Sequence, residues 1–403
     1  MIAPIPAPAP MHRLPGLDTL RGLAALAVLV THVAFWCGFY DAGLLGAVAQ
    51  RLEVGVAIFF VLSGFLLTSP WIVADRLGRR APSTRSYLRK RAVRVLPMYW
   101  VTVVAALLLV EVNAGADAAT WRDNLLLVSM FTSGEYPEGL SQMWSLSTEV
   151  MFYLALPFLA LVLTSRRVAT TARRLALLAT LTAVSWVWSW AAAGPLASWG
   201  PWVGLALPGF LGWFAAGMAL AVVEADRRVP RGPESTRPVR WCENLAAAPG
   251  ACWMMAGAVL VVASTPIGGA PGLVARTPSE SVVRAVFYVV VAVLLVLPSV
   301  FGDPRSTYAR VMASPALRHL GAISYSLFCC HVIVLAVLFQ WTDLTIFDEN
   351  LLMILAIVLG ISLVVSEITY RLVERPFQRL GRPADPTGTP AAATAPSATH
   401  TSS

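Results

Sequence analysis

Runs of roughly twenty apolar residues recur along the whole of this chain, and a helix of that length spans the ~30 Å hydrocarbon core of a bilayer at 1.5 Å per residue. Ten such runs lie near 17–39, 53–73, 94–112, 148–165, 173–193, 202–223, 251–267, 282–301, 320–341 and 350–372, with 251–267 the least regular. Among 403 residues, 57% are hydrophobic and 13% charged, and the mean hydropathy of +0.68 lies outside the range of soluble domains. The expectation is an all-α polytopic membrane protein, a bundle of about ten transmembrane helices.

The net charge of +8 does not point to nucleic acid, because of where the arginines fall. Arg76, Arg79, Arg80, Arg85, Arg89, Lys90, Arg91 and Arg94 separate the second and third runs. Arg166, Arg167, Arg173 and Arg174 separate the fourth and fifth, Arg227, Arg228, Arg231, Arg237 and Arg240 the sixth and seventh, and Arg305, Arg310 and Arg318 the eighth and ninth. Every second connection is basic, which is the positive-inside pattern and predicts cytoplasmic N- and C-termini. A multi-pass protein of the inner (plasma) membrane is expected. The 113–147 connection then faces outward, and Trp121, Tyr136 and Trp144 suit an interfacial element or lid. Residues 1–14 read as a cytoplasmic extension without a removable signal peptide, 15–380 as the membrane domain, and 381–403 as a disordered cytoplasmic tail rich in Ala, Pro, Thr and Ser. No soluble catalytic domain is expected after the bundle. Cys37, Cys242, Cys252, Cys329 and Cys330 show no zinc-type pairing, and neither a metal nor a structural disulfide is expected.

Two ionisable residues, Arg21 and His32, interrupt the first run. A charge within a membrane helix costs on the order of 3 kcal/mol on insertion scales and usually faces a cavity or the bundle interior. Eleven steps of about 100° return the two side chains to within roughly 20° of one face, about 16 Å apart along the axis. They line one wall at two depths, so a path joins them more readily than a single substrate atom.

Several strings coincide in order. Leu17-Asp18-Thr19-Leu20-Arg21-Gly22 with His32, Gly55-Val56-Ala57-Ile58-Phe59-Phe60-Val61-Leu62-Ser63-Gly64-Phe65, the arginine block Tyr87 to Trp100, Met143-Trp144-Ser145-Leu146-Ser147-Thr148-Glu149, Ile323-Ser324-Tyr325-Ser326-Leu327 with His331, and Val373-Glu374-Arg375-Pro376 together resemble the membrane acyltransferase 3 family across roughly residues 15–380. Phe328-Cys329-Cys330 departs from that pattern beside His331. The resemblance implies transfer of an acyl group, often acetyl, from acyl-CoA to a hydroxyl of a carbohydrate, an envelope glycolipid or a macrolide-like metabolite.

Within that frame His32 is the candidate general base, since neutral imidazole suits removal of a hydroxyl proton near neutral pH. Glu149, placed at the start of the fourth span and nearer His32 than Arg21 in depth, is the candidate to orient the imidazole. The plain alternative is a helix-terminal acid, with Ser147 as cap. Arg21 either neutralises Asp18 or serves the thioester and phosphates of the donor. Arg91 and Arg94, one turn apart at a cytoplasmic helix start, are the candidate CoA-phosphate ligands, against a purely topological role. Asp18, Ser63, Trp144, Ser324, Tyr325 and His331 are candidate supporting residues. Ser63 is also a conceivable acyl carrier. Glu367, Arg371, Glu374 and Arg375 read as an ion-pair network near the last inner edge. The rival function is a transporter or flippase for a glycolipid or metabolite, although no repeated halves with matched broken helices are visible.

Overall fold

The computed structural model describes residues 14–229, 233–269 and 276–380; the expected extension before Leu14 and the expected tail 381–403 lie outside the described residues. Ten helices account for the ten apolar runs: α1 (Pro15–Trp36), α2 (Val54–Arg76), α3 (Thr84–Leu109), α4 (Met143–Leu163), α5 (Thr171–Ala192), α6 (Leu207–Arg228), α7 (Pro249–Ala263), α8 (Pro278–Phe301), α9 (Pro315–Gln340) and α10 (Leu351–Thr369). No strand occurs among the described residues. Among the described residues, nine segments are long and apolar enough to cross a bilayer by themselves. The seventh run is shorter, a 15-residue helix bent by 85° from the preceding Arg237–Ala246.

Several element bounds differ from the sequence expectation, three of them with consequences for the site. Helix α3 begins at Thr84, because its early arginines and lysine break the apolar run but favour helix. Helix α4 begins at Met143 after Gln142, and Ser147 is therefore no cap; its Oγ donates to Met143 O within the helix at 3.3 Å. Beyond α10 the chain makes a π-helical turn, Tyr370–Glu374, before Arg375–Leu380.

Close backbone crossings set the bundle. At the α2–α6 crossing a Cβ on Gly64 would lie 2.1 Å from Phe214 O, and one on Gly217 would lie 2.0 Å from Val61 O. Small residues at such contacts let membrane helices pack by dispersion where apolar burial from water is absent. Around this crossing Phe214 stacks between Phe60 and Phe152, with ring centroids 4.4 and 4.0 Å away.

Several arginines that mark topology also hold the fold. Arg76 pairs with Asp226 and donates to Thr171 at 2.9 Å, and Arg174 pairs with Asp75 at 2.5 Å. These contacts tie α2, α5 and α6 together at one end of the bundle, called here the arginine-rich end. At the opposite end the 110–142 connection forms two short helices, Ala118–Leu125 and Ser129–Thr132. Tyr99 donates to Asn124 O, Trp100 Nε1 to Leu125 O at 3.0 Å, and Gln142 Nε2 to Cys329 O at 3.1 Å, fastening this connection to α3 and α9. All five cysteines are free.

Candidate active site

Helices α1 and α9 meet at two glycines. A Cβ on Gly321 would fall 2.0 Å from Asp18 O, and one on Gly22 would fall 2.8 Å from the Leu320 side chain and 3.0 Å from Gly321 N. Ten residues beyond each glycine, about 15 Å along a helix axis, stand His32 and His331. Equal offsets in parallel helices bring the two imidazoles together: their centroids are 5.0 Å apart, and His331 Nε2 lies 3.3 Å from His32 Nδ1.

Donor and acceptor logic assigns the tautomers. His32 Nδ1 is 2.7 Å from Val28 O, and His331 Nδ1 is 3.0 Å from Leu327 O. A carbonyl only accepts, so each Nδ1 carries hydrogen and donates to it. His331 Nε2 is then an acceptor facing the His32 Nδ1–H, and His32 Nε2 keeps its lone pair. His331 is buried at 1% exposure, while His32 is only half-buried. The pair thus presents one basic nitrogen, with the rest of both rings fixed by backbone and by each other.

Arg21 sits on the same helix toward the arginine-rich end and borders two cavities. One, about 30 Å³, is enclosed by Arg21, Glu149, Ser145, Phe59, Tyr325 and Phe328 among others, and has room for about a single water. The other, about 430 Å³, lies between α1, α3, α9 and the π turn, where Asp18, Arg21, Arg94, Arg318, His319 and Glu374 contribute. Arg94, Glu149, Tyr153 and Glu374 are the charged or ionisable groups acting on Arg21 through space. The Nε atoms of Arg21 and Arg91 are buried without a hydrogen-bond partner. The orphaned Arg21 donor beside a polar cavity suits an anionic ligand, whereas Arg91 lines neither cavity and only its helix neighbour Arg94 does.

Glu149 lies with Arg21 and not beside His32. Because α4 starts five residues earlier than the apolar run suggests, Glu149 is about 9 Å into the helix. Its carboxylate accepts a hydrogen bond from Ser63 Oγ, and the neighbour of the His32 ring is His331. Phe59 and Phe328, 5.9 Å apart, stand between the two regions: Arg21 lies over Phe59 at 5.8 Å, and Phe328 packs 6.0 Å from His331.

The remaining sequence candidates divide. Tyr325 lines the small cavity and donates to Val95 O at 2.9 Å. Ser324 Oγ donates to Gly321 O at 2.9 Å, a local helix contact. Trp144 packs against Phe210 at 5.1 Å, away from both histidines and Arg21. Two acids stand elsewhere than the sequence reading put them or outside it altogether. Glu374 is buried at 2% exposure and accepts from Ser326 Oγ and Gln378 Nε2, each at 2.8 Å, while Glu367 forms the surface pairs with Arg371 and His319. Helical spacing placed Glu374 in that network; the π turn rotates it inward. Glu53, just before α2, accepts from Arg284 Nη1 at 2.7 Å and from Tyr288 at 2.8 Å, and it is the charged group acting on His32 through space. Its only sequence sign was a lone acid at the edge of an apolar run. No cluster of three or more His, Cys, Asp or Glu suited to a metal ion occurs among the described residues.

Residues 14–371 match the family described as an acyltransferase domain. The chain is 32% identical over 161 residues to the acyltransferase MdmB of Streptomyces mycarofaciens, covering 37% of this chain and 40% of that protein. It is 30% identical to the peptidoglycan O-acetyltransferase OatA of Listeria monocytogenes, covering 37% and 24%, and 30% identical to nodulation protein 10 of Rhizobium leguminosarum, covering 35% and 43%. The chain thus spans between a quarter and about two fifths of the length of these relatives in the matched stretch. No solved structure matches. With nine to ten helices among the described residues long and apolar enough to cross a membrane, and a family match over nearly its whole length, the chain belongs to the membrane acyltransferase 3 family.

Proposed function

We propose that this protein is an O-acyltransferase of the plasma membrane that moves an acetyl group from acetyl-CoA to a glycan hydroxyl, with both termini in the cytoplasm and His32 as general base. The observation carrying this reading is the tautomer of His32: Nδ1–H is committed to Val28 O, which leaves Nε2 as a lone pair. The donor enters at the arginine-rich end, where Arg21 and Arg94 border the 430 Å³ cavity and Arg91 lies on the same helix as Arg94. Their guanidinium groups meet the CoA phosphates, and Arg21 stands at the narrow passage beside Phe59. At the far end the acceptor oxygen attacks the thioester carbonyl as its proton passes to His32 Nε2. The C–O bond forms, the C–S bond breaks, and CoA leaves as the thiolate. The Nδ1–H of the resulting imidazolium remains shared between Val28 O and His331 Nε2, the stabilising role that a carboxylate plays in a hydrolase triad.

Relatives named as acting on peptidoglycan and in nodulation support a glycan or glycolipid acceptor over a macrolide-like metabolite. Radiolabelled acetyl-CoA presented to the purified protein in vesicles tests the activity. Label in a glycan acceptor is expected from the wild type and not from His32→Ala of equal thermal stability. Movement of acceptor across the membrane without label would favour the transporter reading.

A second chemistry is favoured by one contact. Ser63 Oγ donates to the Glu149 carboxylate, a nucleophile and base in reach of each other beside Arg21. In that route Glu149 takes the Ser63 proton and passes it to the departing CoA thiolate, an acetyl ester forms on Ser63, and the regenerated Glu149 carboxylate takes the proton of the acceptor hydroxyl in the second transfer. Intact-protein mass spectrometry after acetyl-CoA without acceptor separates the two: an acetyl adduct lost in Ser63→Ala supports the ester, and an unmodified mass supports direct transfer.

A further inference from the structure

A third cavity, about 320 Å³, opens between α5, α6 and α8 at the same end of the bundle as His32, and none of the candidate residues above lines it. Trp188, Ser189, Phe210, Trp213, Arg276 and Arg284 dominate its walls. Both indoles are anchored by their edges: Trp188 Nε1 donates to Val203 O at 3.0 Å and Trp213 Nε1 to Ala285 O at 2.9 Å. Trp213 is 6% exposed and packs against Phe60, Phe210 and Tyr288, so its ring closes the cavity wall, while the half-buried Trp188 offers the apolar surface that suits the C–H face of a pyranose. The Ser189 and Ser281 hydroxyls add polar partners.

The charge of the cavity is one-sided. No acid is found among its described lining residues. Arg284 is neutralised from behind by Glu53, whereas Arg276 forms no ion pair among the described residues and feels Glu53 only through space. Burial first and the neighbouring Arg284 second pull the Arg276 guanidinium down to about 10, so it remains charged at neutral pH and lacks a close anion.

We infer that the cavity walled by Trp188, Trp213, Arg276 and Arg284 binds an anionic saccharide, the Trp188 surface taking the ring and the two arginines a carboxylate or phosphate. Its role as the acceptor subsite rests on the acetyl-transfer reading above; its binding chemistry does not.

Equilibrium binding to the purified protein in nanodiscs tests the inference with three probes: a hexuronate-containing tetrasaccharide, a neutral tetrasaccharide of the same length, and glucose 1-phosphate. The wild type is expected to bind at least one anionic probe more tightly than the neutral one, and Arg276→Gln to weaken that binding by about tenfold or more while leaving the neutral probe within about twofold. The anionic probe that shows this dependence identifies carboxylate or phosphate as the group recognised. Equal binding of all three probes by the wild type, or equal weakening of all of them by Arg276→Gln, overturns the inference. Arg276→Lys, which keeps the charge, should retain most of the affinity and guards against a folding defect. In the transfer assay Arg276→Gln should raise KM for the anionic acceptor with kcat and the acetyl-CoA KM unchanged. Preferential anionic binding without acetyl transfer to any acceptor would defeat the activity reading and leave the binding site standing.

Discussion

The two ends of α1 solve the problem of a buried ionisable group in opposite ways. Around Arg21, acids and bases crowd together: Arg94, Glu149, Tyr153 and Glu374 all act on it, and a large polar cavity lies alongside. Around His32 the close partners are a backbone carbonyl and a second imidazole, and the acting charge, Glu53, is itself bonded to Arg284 of the neighbouring cavity. Many charges in an open cavity are suited to holding a charged ligand. A ring fixed by one carbonyl and one neutral partner is suited to taking a single proton. In the proposed function, donor binding falls to the first end and proton transfer to the second.

Kinetics can break that division. The largest effect belongs to His32→Ala, which should cut kcat by about 10²–10⁴-fold, the usual worth of a general base, with the acetyl-CoA KM little changed; a larger change in KM than in kcat would dissolve the contrast. Next comes Arg21→Gln, expected to raise the acetyl-CoA KM by roughly 10–100-fold through loss of charge-assisted hydrogen bonds. If kcat alone fell in that variant, Arg21 would act on the reacting thioester and the two ends would share the chemistry. His331→Asn should lower kcat by about 3–10-fold, as for one neutral hydrogen bond, without touching the donor KM. Gly321→Ala sharpens the comparison differently: its Cβ would meet Asp18 O at 2.0 Å and force α1 and α9 apart. Overpacking of this kind costs about 1–3 kcal/mol, so a lowered Tm together with lost kcat is expected, and an unchanged Tm would show that the crossing yields easily.

Much of this was open to reading from residues alone because the bilayer imposes its own ruler. Ten apolar runs became ten helices, and the uncertain seventh run is the one that proved short and bent. Errors arose where charge masked helix, as at Thr84–Arg94, and where a helix began before its apolar run, as at Met143. That second shift misplaced Glu149 by enough to attach it to the wrong end of the site. The His32–His331 contact had a signature, since Gly22 and Gly321 each precede a histidine by ten residues, but equal spacings acquire meaning only once two helices are known to run parallel and touch. Glu374 left no such trace: an i to i+4 rule cannot anticipate the turn from Tyr370 to Glu374, where the helix widens.

The short seventh helix bears on the lipid as well as the protein. At 15 residues α7 is only about 22 Å long, against ~30 Å of hydrocarbon, and Met254, Met255, Val261 and Val262 on it are exposed. The turn that follows is clamped by Arg51, which donates to Ala263 O, Gly268 O and Gly269 O at 2.8–3.0 Å, so the helix cannot extend to meet a thicker bilayer. Hydrophobic mismatch is then relieved by the lipids, which thin locally along this flank. Bilayer thickness becomes a variable of this protein's behaviour, and reconstitution into short-chain and long-chain phospholipids should be felt first at α7.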